Sequence, residues 1–444
     1  MRIQLSDHFT YRILLRFTLP TIAMMIFTSI YGVVDGFFVS NFAGKTPFAA
    51  VNLIMPVLMI LGTVGFMFGT GGTALVAKTY GEGKPELANR YFSLFAYITF
   101  AIGLVLSILG MIFIRPIASA LNAEGALLDD CVLYARIILI ALPFYVLQVL
   151  FQSFFVAAEK PQLGLVVTVS SGVTNMVLDA VLVLLLPQEW KLAGAAVATM
   201  VAQMVGGVIP LIYFFRENDS ILRLGKTTFQ GKAILQACTN GSSEFMSNIS
   251  MSIVGILYNL QLLKYAGENG IAAYGVMMYV SMIFAAVFIG FSVGAAPIIS
   301  YHDGAKHYQE LKCLLRESLT LVGIFGIVMV IAAELLSAPL SKIFVGYDAE
   351  LLELTVSGFR TFALSFLFMG FGIFSSSFFT ALNDGVTSAF ISFLRSLVFE
   401  SACILLLPRI LGIGGIWLSV VVAEGLAVVL AVAFLIGKRA KYHY

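Results

Sequence analysis

Residues 51–77 read VNLIMPVLMILGTVGFMFGTGGTALVA, an uncharged apolar run that ends at Lys78. About 20 such residues cross a bilayer as an α-helix. The apolar residues run continuously instead of alternating, which excludes the strands of a membrane barrel. Comparable runs recur along the chain and predict twelve spanning helices: 17–41, 51–77, 91–115, 133–157, 163–186, 193–215, 236–263, 271–299, 314–336, 356–380, 387–407 and 412–437. The junction between the ninth and tenth is the most interrupted, by Pro339, Asp348, Glu350 and Glu353. Of the 444 residues, 60% are hydrophobic and 11% charged, against about 25% charged in a soluble domain. So little polar surface excludes a large soluble domain, nucleic-acid binding and a catalytic ectodomain.

The charges lie at the ends of the runs. Arg2, Arg12 and Arg16 precede the first one, with no small-residue cleavage site after it, so the N-terminus reads as a tail and not as a removed signal. With that tail in the cytoplasm, about 17 Lys and Arg fall on inner segments and about 6, including Lys45, Arg115 and Arg409, on outer ones. This predicts a multi-pass protein of the cell (inner) membrane with both termini cytoplasmic. Cys131, Cys238, Cys313 and Cys403 are scattered and the four histidines lie outside the apolar runs. Neither a disulfide framework nor a metal site is expected.

The run at 51–77 has a second copy. At an offset of 223, Ala43–Gly44 matches Ala266–Gly267, Ala49–Ala50 matches Ala272–Ala273, and Met55 matches Met278. Met59–Ile60 matches Met282–Ile283, Gly71 matches Gly294 and Gly81 matches Gly304. An offset of six helices preserves direction, so the expected architecture is all-α: two parallel six-helix lobes related by a pseudo-two-fold along the membrane normal. The boundaries read as 1–215 and 235–444, joined by a polar cytoplasmic linker at 216–234. Such paired lobes are an architecture of alternating-access carriers.

ATP is not the expected energy source. Gly44-Lys45-Thr46 and Gly225-Lys226-Thr227 resemble the end of a phosphate-binding loop, but its first glycine is replaced by Val39 and Ser220. An ion gradient remains, and a carrier driven by one needs a carboxylate inside the membrane whose charge can change. Asp35 lies about 27 Å along helix 1 and Asp179 about 24 Å along helix 5, at similar height in the outer half. Each ends a polar stripe at helical spacing: Thr21, Thr28, Tyr31, Asp35, and Thr168, Ser171, Asn175, Asp179.

The second lobe carries Glu244, Asn248, Ser252, Gly255 and Asn259 on one face of helix 7. Glu244 (about 14 Å deep), Arg395 (about 12 Å) and Glu424 (about 18 Å) lie close enough in height for an ion cluster. Arg395 is expected to pair structurally with Glu424 or Glu400, because an unpaired intramembrane arginine is costly. Pro20 is either a static kink or helix start, or a hinge that bends helix 1 when Asp35 changes charge. The glycines of helix 2 suit close helix packing.

Several of these patterns together resemble the multidrug and toxic compound extrusion (MATE) family. They are Phe17-Thr18-Leu19-Pro20 followed by Asp35, and Gly69-Thr70-Gly71-Gly72 leading to Gly81. To these add Asn175 with Leu178-Asp179, Gly194-Ala195-Ala196 with Thr199, and Ala423-Glu424. The resemblance runs nearly end to end and is nearest to the proton-linked bacterial branch. It implies an antiporter, not an enzyme, that exports cationic amphipathic compounds in exchange for H⁺ or Na⁺. It also implies a coupling network of Asp35, Asn175, Asp179 and Thr199, with Pro20 as its bend. Gln148 and Gln152 join that network by placement. Glu244 departs from the sodium-linked branch, whose helix 7 glutamate lies deeper. Organic cations are expected to meet a cavity lined by Tyr31, Gln148, Gln152, Glu244, Asn248, Asn259, Met278 and Tyr279, with Tyr258 and Tyr274 as further aromatic candidates. No cofactor, nucleic acid or ATP is expected, and the chain is expected to act as a monomer. Two rivals are a lipid-linked precursor flippase of the same superfamily and a major-facilitator carrier. The latter lacks its usual basic loop here, where Lys78-Thr79-Tyr80-Gly81-Glu82-Gly83-Lys84-Pro85 stands.

Overall fold

Each long apolar run becomes a helix because, without water, a helix alone satisfies its own backbone groups. The computed structural model describes residues 3–346 and 348–444. Arg2 lies outside the described residues, and so does the side chain of Lys45. In chain order the helices are α1 (Tyr11–Phe38), α2 (Lys45–Gly81), α3 (Pro85–Ala120), α4 (Gly125–Ala157), α5 (Pro161–Leu185) and α6 (Lys191–Phe215). Then come α7 (Gly231–Gly267), α8 (Asn269–Gly304) and α9 (Tyr308–Val345). The last three are α10, in two pieces (Ala349–Ala363 and Phe366–Ala381) bent by 48°, α11 (Gly385–Leu411) and α12 (Ile413–Tyr442). Among the described residues eleven of these are long and apolar enough to cross a membrane, or twelve with the bent α10 as one span.

Three expectations about helix ends need correction. α9 runs through Pro339 to Val345, and α10 starts at Ala349, well before residue 356. The acidic stretch thought to interrupt the pattern begins the helix: the Asp348 carboxylate accepts from the Glu350 and Leu351 N–H groups. Pro20 is not a helix start, since it sits ten residues into α1, which stays helical on both sides. α7 begins at Gly231, inside the segment read as linker.

The repeat now has a physical reason. Gly44, between α1 and α2, and Gly267, between α7 and α8, both have positive φ (115° and 62°), which only glycine adopts freely. The other repeated glycines lie where the lobes touch. A Cβ on Gly71 would strike Gly241 and one on Gly294 would strike Thr18. One on Gly81 would strike the Tyr301 carbonyl, and one on Gly304 that of Lys78. The offset of 223 exchanges each of these contacts with its partner. Between the last two, Lys78 pairs with Asp303 at 2.8 Å, and the rings of Tyr80 and Tyr301 lie 6.0 Å apart.

Both termini lie at this end of the molecule, the terminal face: His8 meets Glu310, and the ring of His443 lies 5.0 Å from that of Tyr308. The N-terminal segment straps the two lobes together here. The Leu5 N–H donates to Glu159, in the α4–α5 turn, and the Phe9 N–H to Glu310 on α9, both at 2.8 Å. Leu5 and Phe9 are fully buried, with Phe9 set among Phe17 and His302. Toward the opposite face the seam parts. Ile60 lies seven residues from Met67 and so on the same side of α2, but it is 41% exposed. Met59 and its repeat partner Met282 are exposed too. The lobes are sealed at the terminal face and separated at the other.

Candidate functional site

Asp35 and Asp179 come together in the first lobe, on helices packed side by side. The small Gly172 lets α1 approach α5, with Phe27 and Tyr31 against it. Asp35 sits one helical turn beyond Tyr31 and is half-buried; Asp179 is 0% exposed. The two carboxyls are within hydrogen-bonding reach of each other. The Thr199 hydroxyl on α6 donates to Asp35 at 3.4 Å, and the Asn175 amide donates to Thr199 at 3.3 Å. The four residues read as a network are therefore adjacent.

The balance of donors and acceptors is unequal. Among the described residues, neither Asp179 oxygen has a hydrogen-bond donor, and neither does the Asn175 side-chain oxygen. No basic side chain forms an ion pair with Asp35 or Asp179 there. A buried acceptor without a donor costs about 1–3 kcal/mol, and two facing carboxylates add repulsion. One proton shared by the two carboxyls would remove both penalties. So would a small hard cation, which oxygen ligands of this kind suit.

Tyr134 on α4 completes the enclosure. Fully buried, it faces Asp35 and Asp179 and lies within reach of Thr199. Nothing in the local sequence around Tyr134 marks it, because it occupies an unremarkable place in an apolar helix. Gln148 and Gln152 do not bond to the aspartates. Their amides donate to Ser171 and Thr168, both at 3.3 Å, and Ser171 in turn donates to the Ala202 carbonyl at 2.7 Å. They extend the α5 stripe toward the terminal face, one and two turns below Asn175.

The second lobe does not form the expected three-way cluster. Arg395 grips Glu424 through its Nε (2.9 and 3.1 Å) and one terminal nitrogen (2.8 Å). Among the described residues Glu244 joins no ion pair. It lies on α7 one turn past the Gly241 contact with α2. Its carbonyl accepts from the Asn248 amide at 2.8 Å. Asn259 and Tyr279 are exposed, and Met278 packs at the edge of the second-lobe core. Tyr258 and Tyr274 are not lining residues: they are buried and stacked at 4.9 Å with ring planes 6° apart.

Two lobes of helices, parallel by repeat, parted at one face and holding acidic groups away from bulk water, define a multi-pass membrane carrier. The MatE family model matches residues 20–181 and 245–402, one stretch in each lobe. The chain belongs to this family, the MATE transporters. The two matched stretches begin at nearly the 223-residue interval of the repeat. The multidrug export protein MepA of Staphylococcus haemolyticus (strain JCSC1435) is 24% identical over 423 residues, covering 95% of this chain and 92% of that protein. MepA of Staphylococcus aureus (strain MRSA252) is 23% identical over the same coverage. Among solved structures, the outward-facing conformation of a multidrug resistance MATE family transporter superposes with a TM-score of 0.91 at 19% identity, over 97% of this chain and 96% of that one. A transporter of the MOP superfamily from Pyrococcus furiosus gives 0.88 at 20% identity, over 97% and 95%. These likenesses establish the shared fold.

Proposed function

We propose that the protein is a secondary antiporter that exports cationic, amphipathic organic compounds in exchange for H⁺, with Na⁺ as the alternative coupling ion. The observation that carries this reading is the Asp35–Asp179 pair, a buried site with more acceptors than donors. A proton arriving from the open cleft neutralises the pair, weakens its hold on a cationic substrate and allows helix α1 to repack. Pro20 supplies the place to bend, since it leaves the Arg16 carbonyl without its helical donor. Reversal of these steps on the other side completes alternating access. The relatives' export of multiple drugs supports the substrate class. Lys and Arg crowd the terminal face, so that face is cytoplasmic and this conformer is open to the outside. The protein then resides in the cell membrane and acts as a monomer, without ATP, nucleic acid or cofactor.

The test is transport of a fluorescent organic cation in proteoliposomes under an imposed pH gradient or an imposed Na⁺ gradient, each alone. Export driven by the pH gradient alone is the expected result. Drive by Na⁺ alone reassigns the ion. Movement of a lipid-linked pyrophosphate with no response to either gradient replaces the antiporter by the flippase.

A further inference from the structure

We infer that the second lobe holds a proton-exchanging site of its own, the Glu400 carboxyl, set against the Arg395–Glu424 pair. The inference rests on the antiport reading above and adds a second coupling group to it.

The local backbone is built to place this residue. Within α11 the segment Leu394–Phe399 is a π turn. In an ordinary α-helix, residues five apart are rotated by roughly 140° from one another. A π turn closes i to i+5 and brings such residues to one face. Arg395 and Glu400 are five apart, and the turn points both at the interior of the lobe. There Arg395 is already committed to Glu424 by three hydrogen bonds. Gly372 of α10 backs the guanidinium so closely that a Cβ there would lie 2.7 Å from its Cδ.

Glu400 is thus the surplus charge. The pair of Arg395 and Glu424 is neutral, and among the described residues no cation is left for the second carboxylate. Besides Arg395, four polar groups among the described residues surround it. From α7 comes the Tyr258 hydroxyl, from α8 Tyr274, from α11 Cys403, and from α12 Glu424. Tyr258 is 1% exposed and its hydroxyl has no hydrogen-bond partner among the described residues. A buried hydroxyl without a partner and a carboxyl with no ion pair, both among the described residues, fit a ligand as small as a proton. The repeat supports the assignment: at the offset of 223, Tyr258 occupies the position of Asp35. In the exchange itself, hydronium from the cleft transfers H⁺ to a Glu400 oxygen and leaves as water. When the site opens to the other side, the O–H bond breaks and a water molecule there accepts the proton as hydronium.

The experiment is the proton-to-substrate stoichiometry of the full chain in proteoliposomes, read from the reversal potential at several pH gradients. The wild type moves one proton per lobe, and Glu400→Gln retains export with the slope against ΔpH halved. An unchanged slope in Glu400→Gln overturns the inference while the wild-type response keeps the antiport reading intact. A wild type indifferent to pH brings down both. If Glu400→Gln does not fold, Glu400→Asp carries the test. It keeps the full slope with a displaced pH profile, and a slope and profile both unchanged overturn the inference.

Discussion

The two lobes share a fold and a repeat, but they treat buried charge in opposite ways. In the first, two carboxyls face each other with one hydroxyl donor and, among the described residues, no cation. In the second, a guanidinium and a carboxylate are locked in a bidentate grip. The acidic pair is uncomfortable in any single charge state and is relieved by taking up an ion. The Arg395–Glu424 pair is neutral as it stands and resists change, because removing one partner leaves the other buried and uncompensated. The Asp35–Asp179 pair therefore holds a charge that moves and the Arg395–Glu424 pair a charge that stays.

Substitutions can break or sharpen this contrast. The largest effect is expected from Asp35→Asn, which abolishes gradient-driven export while the protein still inserts and elutes as a single species in detergent. Normal export by that variant would leave coupling to the second lobe alone. Next, Arg395→Met leaves Glu424 unpaired and destabilises the protein by about 3–5 kcal/mol, seen as a lowered melting temperature in detergent. The double variant Arg395→Met with Glu424→Leu recovers most of that loss. If the single change is harmless, the second-lobe pair is not the fixed charge described above.

A smaller effect is expected from Thr199→Val, which removes one donor to Asp35, worth about 1 kcal/mol. Export falls roughly fivefold and its pH profile shifts, whereas the melting temperature hardly moves. Smallest is the effect of the strap that ties the lobes together. Its His8 has a pKa raised above the ordinary 6.5, first by the hydrogen bond to Glu310 and then by the charge of that carboxylate. The contribution of His8 is therefore full below about pH 6.5 and is lost as pH rises through the raised value. Protection of the Leu5 and Phe9 amides, with exchange corrected for its intrinsic base catalysis, should fall over that rise, and His8→Ala should remove that fall. His8 is largely exposed, so the change is slight.

The helices were legible because a bilayer demands long apolar runs, and twelve were read with only their ends displaced. The register between the halves was legible too, at Gly44 and Gly267, Gly71 and Gly294, and Gly81 and Gly304. Those positions are restricted to glycine by a positive φ or by a backbone from the other lobe pressed against them. The stripe on α5 pointed to Asn175 and Asp179 because helical spacing keeps such residues on one face. Tyr134 was not legible, being one aromatic residue in an apolar helix, and neither was the strap. Leu5 and Glu159 meet across 154 positions, and no local pattern encodes such a contact. The three-way cluster of Glu244, Arg395 and Glu424 failed for a related reason: similar depth along separate helices says nothing of which faces meet.

By itself, then, the sequence determined the spans, their pairing into two lobes and the stripes that carry polar groups. Hydropathy and periodicity act within one helix and survive being read in one dimension. Tertiary structure alone decided which acids face each other, which arginine is taken, and at which end the lobes close. Those outcomes depend on helix rotation and packing between distant segments, where a turn of a few tens of degrees replaces one neighbour with another.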